Sequence, residues 1–238
     1  IETNAIAVQR WLHETYRTPL DKIRVIPSGV DTGTAATGTE AAEVRKSLGI
    51  PRGDRVVLYV GRLEKEKGVE FGVLAFVEIA DEFPEVRLVM AGEGRERESL
   101  DNIACSSGYT DRINLIGHTD QIPALMAIAD VVLLPSLTEG LSRVILEAMV
   151  ASRAVVATRV GGSAEVVKDG QTGFIVPARN TSDLADALRR ILGDVSLSQR
   201  MGQAGRRRVE TEFTQERYWD QLSAMYAELV GRKSRKSR

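Results

Sequence analysis

Two cations and two acids have the types and spacing to act together on a phosphate-bearing ligand. Arg62 and Lys67 lie in Gly61-Arg62-Leu63-Glu64-Lys65-Glu66-Lys67-Gly68, directly after a short apolar run, and Glu139 and Glu147 flank the start of an apolar helix. Two cations facing a helix N-terminus suit a diphosphate. The plainer alternative pairs Arg62 and Lys67 with Glu64, Glu66 or Glu70 on a solvated face. Glu147 sits among Val144, Ile145, Leu146, Ala148, Met149 and Val150, a helix apolar on nearly every face. Such a helix is interior, and a carboxylate there requires a partner. Arg143 is one candidate and the hydroxyls of a bound ligand are the other. Glu139 precedes the backbone N–H groups of Gly140, Leu141 and Ser142, which have no intrahelical acceptors and form an anion-binding end. It also reads as a plain acid complementing the helix dipole.

The elements that must position these residues follow from periodicity. Apolar runs at 56–60, 86–91, 113–116, 131–134, 154–158 and 173–176 alternate with helical patterns at 69–81, 95–106, 121–128, 142–151 and 164–168. Helices at 182–192, 197–212 and 215–229 follow. The alternation predicts an α/β fold, a Rossmann-like doubly wound parallel sheet of about six strands with helices on both faces. Ligands of such sheets sit outside the carboxyl ends of the strands. Glycines collect at those ends: Gly61, then Gly92-Glu93-Gly94, Gly117-His118, Gly140, and Gly161-Gly162. Several backbone-permissive loops on one rim point to a large polar ligand. Upstream, a short amphipathic helix is predicted over 5–16, an extended piece over 22–27, a domain boundary near Gly29 and a loop or linker over 32–39.

A length of 238 residues suffices for one large or two smaller domains, and a net charge of −1 makes no case for nucleic acid or a membrane surface. The single cysteine, Cys105, excludes an internal disulfide and is expected to be a buried spectator in a reducing compartment. No apolar run approaches a membrane span, so the expectation is a soluble, cytoplasmic protein. The start at Ile1 points to a fragment or processed form. A dinucleotide fingerprint fails because Arg97 stands where its third glycine belongs, and a Walker loop is absent. His13 and His118 are too scattered for a metal cluster, and no nucleophile elbow is present.

Gly61-Arg62-Leu63…Lys67-Gly68, Ala91-Gly92-Glu93-Gly94, Pro135-Ser136…Glu139-Gly140…Leu146-Glu147-Ala148-Met149, Val155-Val156-Ala157-Thr158…Gly161-Gly162…Glu165 and Asp169-Gly170…Thr172-Gly173 follow in order. With them the chain resembles a retaining glycosyltransferase of family four, over about residues 23–213. Its members face two Rossmann-like domains across a cleft, a plan called GT-B, with the sugar-nucleotide donor held by the C-terminal one. The resemblance makes 1–29 a remnant and hinge of the N-terminal acceptor domain and 30–213 the donor-binding domain. Residues 214–230 become a helix packing toward the missing domain, and 231–238 a disordered basic tail.

The same resemblance implies roles. Arg62 and Lys67 match the pair that neutralises the donor diphosphate without a metal. Glu139 matches the acid at the transferred sugar, and with Arg62 and Lys67 it makes the catalytic set. Glu147 matches the ribose ligand, and Gly140, Leu141, Ser142 and Arg143 offer backbone N–H groups to phosphate. Gly61, Gly92, Gly94 and Gly117 would line the donor, the last two loops near the nucleoside. No cofactor is expected; a nucleoside diphosphate sugar, UDP- or GDP-linked, is the donor substrate. The acceptor is a glycan, lipid or small alcohol, with no nucleic-acid partner. Peripheral membrane association is expected only through the missing domain, and self-association through apolar surface at Trp11, Leu12, Trp219, Leu222, Tyr226 and Leu229. Packing of these residues on the chain's own core is the alternative. The sequence departs from the family in two places: Gly140-Leu141-Ser142 replaces Gly-Phe-Gly, and Ser152-Arg153-Ala154 replaces Gly-x-Pro before the fifth strand. Two further readings remain at this level: a non-catalytic sugar-nucleotide-binding module needing a partner, and a sugar-nucleotide epimerase.

Overall fold

A computed structural model describes residues 1–34 and 36–236, with side chains through 230. The chain opens with β1 (Glu2–Thr3) and α1 (Ile6–Tyr16), followed by β2 (Arg24–Val25), which pairs in parallel with β1. After α2 (Gly38–Ser47) come β3 (Arg55–Val60), α3 (Val69–Ile79), β4 (Val86–Ala91), α4 (Arg97–Ser107), β5 (Ile113–Gly117) and α5 (Ile122–Ile128). The series continues with β6 (Val131–Leu134), α6 (Arg143–Val150), β7 (Ala154–Thr158), α7 (Ser163–Val166) and β8 (Gly173–Val176), then α8 (Thr181–Gly193), α9 (Val195–Glu212) and α10 (Gln215–Lys236).

Among the described residues, β3 to β8 form one six-stranded sheet in the order β5-β4-β3-β6-β7-β8, every pair parallel. Successive residues of β3 feed opposite faces. Val56 and Leu58 pack with Val132, Ile145 and Leu146 on one side, and Val57 and Tyr59 pack with Leu133, Phe76 and Leu188 on the other. Both faces are therefore dry, which is why the strands read as continuous apolar runs rather than alternating ones. The chain runs outward in one direction from β3 to β5, then crosses back to β6 beside β3. That reversal leaves a crevice at the carboxyl ends of β3 and β6.

The expected linker over 32–39 is partly wrong, because α2 begins at Gly38. Thr37 caps it: its hydroxyl accepts from the Glu40 backbone N–H at 3.3 Å and Glu40 Oε2 accepts from the Thr37 N–H at 2.7 Å. This capping box is a sequence-level start signal. The helix behind it is nearly all polar, with only Val44 buried, so no apolar stripe marks it. Cys105 is exposed rather than buried, because α4 turns Leu100 and Ala104 inward and Cys105 outward. The expected disordered tail over 231–238 lies outside the described residues in its side chains and in 237–238, and the bounds of α10 reach Lys236.

Candidate functional site

The site grows from the two strand ends at the crevice. Leaving β3, Gly61 adopts φ 152° and Tyr59 donates its hydroxyl to the Arg62 carbonyl at 2.7 Å. A Cβ on Gly61 would lie 2.8 Å from that hydroxyl, so the glycine is what lets the phenol pin the turn. Burial raises the Tyr59 hydroxyl far above its ordinary pKa, with Glu139 adding to the shift, so it stays a donor. The next loop closes on this one. Gly61 donates to Ala91 O at 2.9 Å and Leu63 to Glu93 O at 2.8 Å. A Cβ on Gly92 would sit 1.8 Å from Gly61 O, and one on Gly94 would sit 2.2 Å from Leu63 O. Gly92 in turn donates to Gly117 O at 2.8 Å, so three rim loops form one backbone network.

Leaving β6, the chain passes Ser136 and Glu139 before α6 begins. The rim is stitched across the crevice by Leu137 N–H, which donates to Glu66 O at 2.8 Å. Lys67 Nζ then reaches Glu139 Oε1 at 2.7 Å, and the Ser136 hydroxyl donates to the same oxygen at 3.0 Å. The ammonium side chain is 21% exposed and the carboxylate 12%, so this is a half-desolvated pair whose attraction is little screened. A cleft of about 190 Å³ opens over it, lined by Tyr59, Gly61, Lys67, Ser136, Glu139, Leu141, Ser142 and Arg143 among others. Beside it, about 360 Å³ is lined by Gly61, Arg62, Gly92, Glu93, His118 and Thr119.

The plainer local pairings occur for the other two charges. Arg62 donates to Glu66 Oε1 at 2.8 Å on an exposed face, and Arg143 donates to Glu147 Oε1 at 3.2 Å. Lys67 instead meets Glu139, not Glu64, Glu66 or Glu70. Glu147 faces a separate cavity of about 670 Å³ shared with Arg143, Ile122, Met126 and Arg153. Burial raises its carboxyl pKa, opposed by the nearby Arg143 guanidinium. Gly94, Gly117 and Gly140 line none of these three cavities. Gly94 and Gly117 shape the rim, and Gly140 offers its carbonyl to Gly162 N–H at 2.6 Å.

Sequence reasoning gave Tyr59 no role and quoted Ser136 only as part of a motif. The signal for Tyr59 is a hydroxyl inside an otherwise aliphatic strand, which demands a buried acceptor. The apolar stripes at both chain ends face outward: Trp11 is 52% exposed, Trp219 52% and Tyr226 59%, so packing on the chain's own core does not cover them. Among the described residues no helix is long and apolar enough to cross a membrane, and no group of three His, Cys, Asp or Glu residues converges.

A family model described as Glycosyl transferases group 1 matches residues 40–208. An alpha-D-kanosaminyltransferase of Streptomyces kanamyceticus is 35% identical over 198 residues, covering 82% of this chain and 51% of that protein. The chain spans about half the length of the curated relatives it matches first. The C-terminal domain of a glycosyl transferase group 1 protein, LpcC of Francisella tularensis, superposes with a TM-score of 0.71 at 27% identity, over 78% of this chain and 99% of that one. A complex of Anabaena HepE with UDP superposes with a TM-score of 0.88 at 24% identity, over 95% of this chain and 63% of that one, and shares the fold. With its six-stranded doubly wound sheet and this family match, the chain belongs to the glycosyl transferases group 1 and is similar to their GT-B C-terminal domain.

Proposed function

We propose that this chain is the donor-binding part of a retaining hexosyltransferase that takes a hexose from a nucleoside diphosphate sugar and passes it to a glycan, lipid or small alcohol. The observation that carries the reading is the Lys67–Glu139 pair at 2.7 Å, set where the sheet order reverses. Cleaving the bond from the anomeric carbon to phosphate leaves negative charge on the diphosphate and positive charge on the sugar ring. Lys67 and Arg62, with the free N–H groups before α6, answer the first charge, and Glu139 answers the second. Donor binding then exchanges partners: the diphosphate takes Lys67 from Glu139 and Arg62 from Glu66, which frees the Glu139 carboxylate for the sugar. Counter-charge to the leaving group is assigned to these two cations rather than to a metal. Glu147 is assigned to the ribose hydroxyls, and the rim glycines to close approach of the donor. Residues 1–29 are assigned to the junction with an acceptor-binding half, 30–213 to the donor domain and 214–230 to a helix meeting that half. The cytoplasm, where sugar nucleotides are made, is the proposed place of action.

UDP is the first nucleotide to test, since a protein of the same fold was solved with it. The experiment is a calorimetric titration of the chain with UDP, GDP, ADP and NAD, beside Arg62→Ala and Glu147→Ala. One diphosphate is expected to saturate, and each variant to weaken it by about tenfold, the size of a lost charged hydrogen bond. A folded chain that binds none of the four, or variants that bind as wild type, would sink the reading. A non-catalytic sugar-nucleotide-binding module is the second reading. It predicts the same binding but no transfer in the presence of an acceptor-binding domain.

A further inference from the structure

We propose that Glu165 is a positioning residue that clamps the first turn of α1 onto the loop carrying Glu139, and that this clamp couples docking of the N-terminal segment to occupancy of the donor cleft. The coupling rests on the donor-site reading above; the clamp does not.

Helix α1 has no cap of its own. Its N-cap residue is Ala5, with no side-chain hydrogen bond, where Ser, Thr, Asp or Asn would ordinarily satisfy the first amides. A carboxylate from 159 positions away substitutes: Glu165 Oε2 accepts from Ile6 N–H at 2.9 Å and Oε1 accepts from Ala7 N–H at 2.8 Å. Two oxygens on two adjacent amides, placed at the positive end of the helix, satisfy both hydrogen bonding and the dipole. The clamp is itself anchored. Arg208 in α9 donates to the Glu165 carbonyl at 3.0 Å and the Val166 carbonyl at 2.9 Å.

The surfaces beneath are fitted to it. Ala5 is fully buried, and a Cβ on Gly162 would stand 2.8 Å from the Ala5 Cβ, so both positions require small residues. Asn4 lies against Gly140, whose Cβ position is 3.1 Å from Asn4 Oδ1. On the other side, Gly161 leaves no room for a side chain, its Cβ position being 1.8 Å from the Glu139 carbonyl. The Glu139–Gly140 loop, the Gly161–Gly162 turn and the start of α1 thus form one stack. No residue of α1 is fully buried, so its packing alone holds it weakly and the two clamp bonds weigh heavily. A loop that settles around a donor at Glu139 biases this stack, and by linkage the docked helix favours donor binding.

The test is hydrogen exchange of the Ile6 and Ala7 amides in wild type, Glu165→Gln and Glu165→Ala, without ligand and with UDP. Without ligand, exchange at the two amides is expected to rise about fivefold in Glu165→Ala, the size of a lost cap. The glutamine variant, which keeps one acceptor oxygen, should fall between, and protection of β3 and β6 should stay unchanged. In wild type UDP should slow both the 139–142 amides and Ile6 and Ala7. In Glu165→Ala it should slow only the former, with UDP affinity weakened about fivefold. Unchanged unliganded exchange at Ile6 and Ala7 in both variants overturns the clamp. UDP protection of 139–142 in wild type without effect at Ile6 and Ala7 overturns the coupling. Binding of none of UDP, GDP and ADP by wild type overturns the donor-site reading and the coupling with it, the unliganded exchange still judging the clamp; where GDP or ADP is the nucleotide that binds, it takes the place of UDP in the liganded arm.

Discussion

Replacing Gly161 by alanine should move the Glu139 carbonyl and with it the cleft over the Lys67–Glu139 pair. At φ 49° the position is left-handed, so a Cβ there costs about 1 kcal/mol wherever it occurs. Steric overlap costs more. The new Cβ would lie 1.8 Å from the Glu139 carbonyl oxygen, against a closest ordinary approach of 3.0 Å, so the loop must retreat by about 1.2 Å. Overpacking of this kind adds about 1–3 kcal/mol. Gly170 supplies the internal control, since its φ is 73° and nothing stands within 4 Å of its Cβ position. Urea denaturation should therefore show Gly161→Ala about 1–3 kcal/mol less stable than Gly170→Ala. With Glu139 in its proposed role at the sugar, a displacement of about 1 Å carries an effect on the order of a hundredfold in a transfer reaction, so donor-dependent turnover in the presence of an acceptor-binding domain should fall far more in the first variant. Equal stabilities within about 0.5 kcal/mol, or equal turnover, would refute the close approach as the reason for glycine.

Three further outcomes follow from single observations. Glu147→Gln should stabilise the fold at neutral pH while weakening nucleotide binding: burial raises the carboxyl pKa, so its stabilising contribution is complete below the unfolded value of about 4.3 and is lost as pH rises through the folded one. Denaturation midpoints of variant and wild type should converge in acid, and a difference independent of pH would contradict this. Ser152→Gly should stabilise the chain by about 1 kcal/mol, because Ser152 holds a left-handed φ of 56°, where glycine is unstrained; an unchanged urea midpoint would remove the strain argument. Light scattering should show concentration-dependent association of the isolated chain through Trp11, Trp219 and Tyr226, reduced in Trp219→Ser with Tyr226→Ser, and a clean monomer at all concentrations would contradict it.

Much of the fold was legible because burial on both faces writes itself directly into composition. Strands at 86–91, 131–134, 154–158 and 173–176 match their observed bounds, since each is an apolar run closed by a glycine, proline or charged loop. Helix α2 was not legible by the same signal, since only Val44 of it is buried and its capping box was the single local mark. Pairings within a helix turn were also open to reading: Arg143 with Glu147 and Arg62 with Glu66 are four apart. Which of several nearby acids a cation selects across loops was not.

The sequence by itself therefore determined the parallel doubly wound layering and the crowding of glycines, cations and acids at one rim, because periodicity reports local burial and loop chemistry. Only the tertiary structure decided that Lys67 meets Glu139 across 72 positions and that Glu165 caps α1 across 158 and 159. Those partners depend on which strands lie side by side. The strand order is set by the packing of the whole sheet, so the free energy that selects each pair is not contained in any stretch of chain around it.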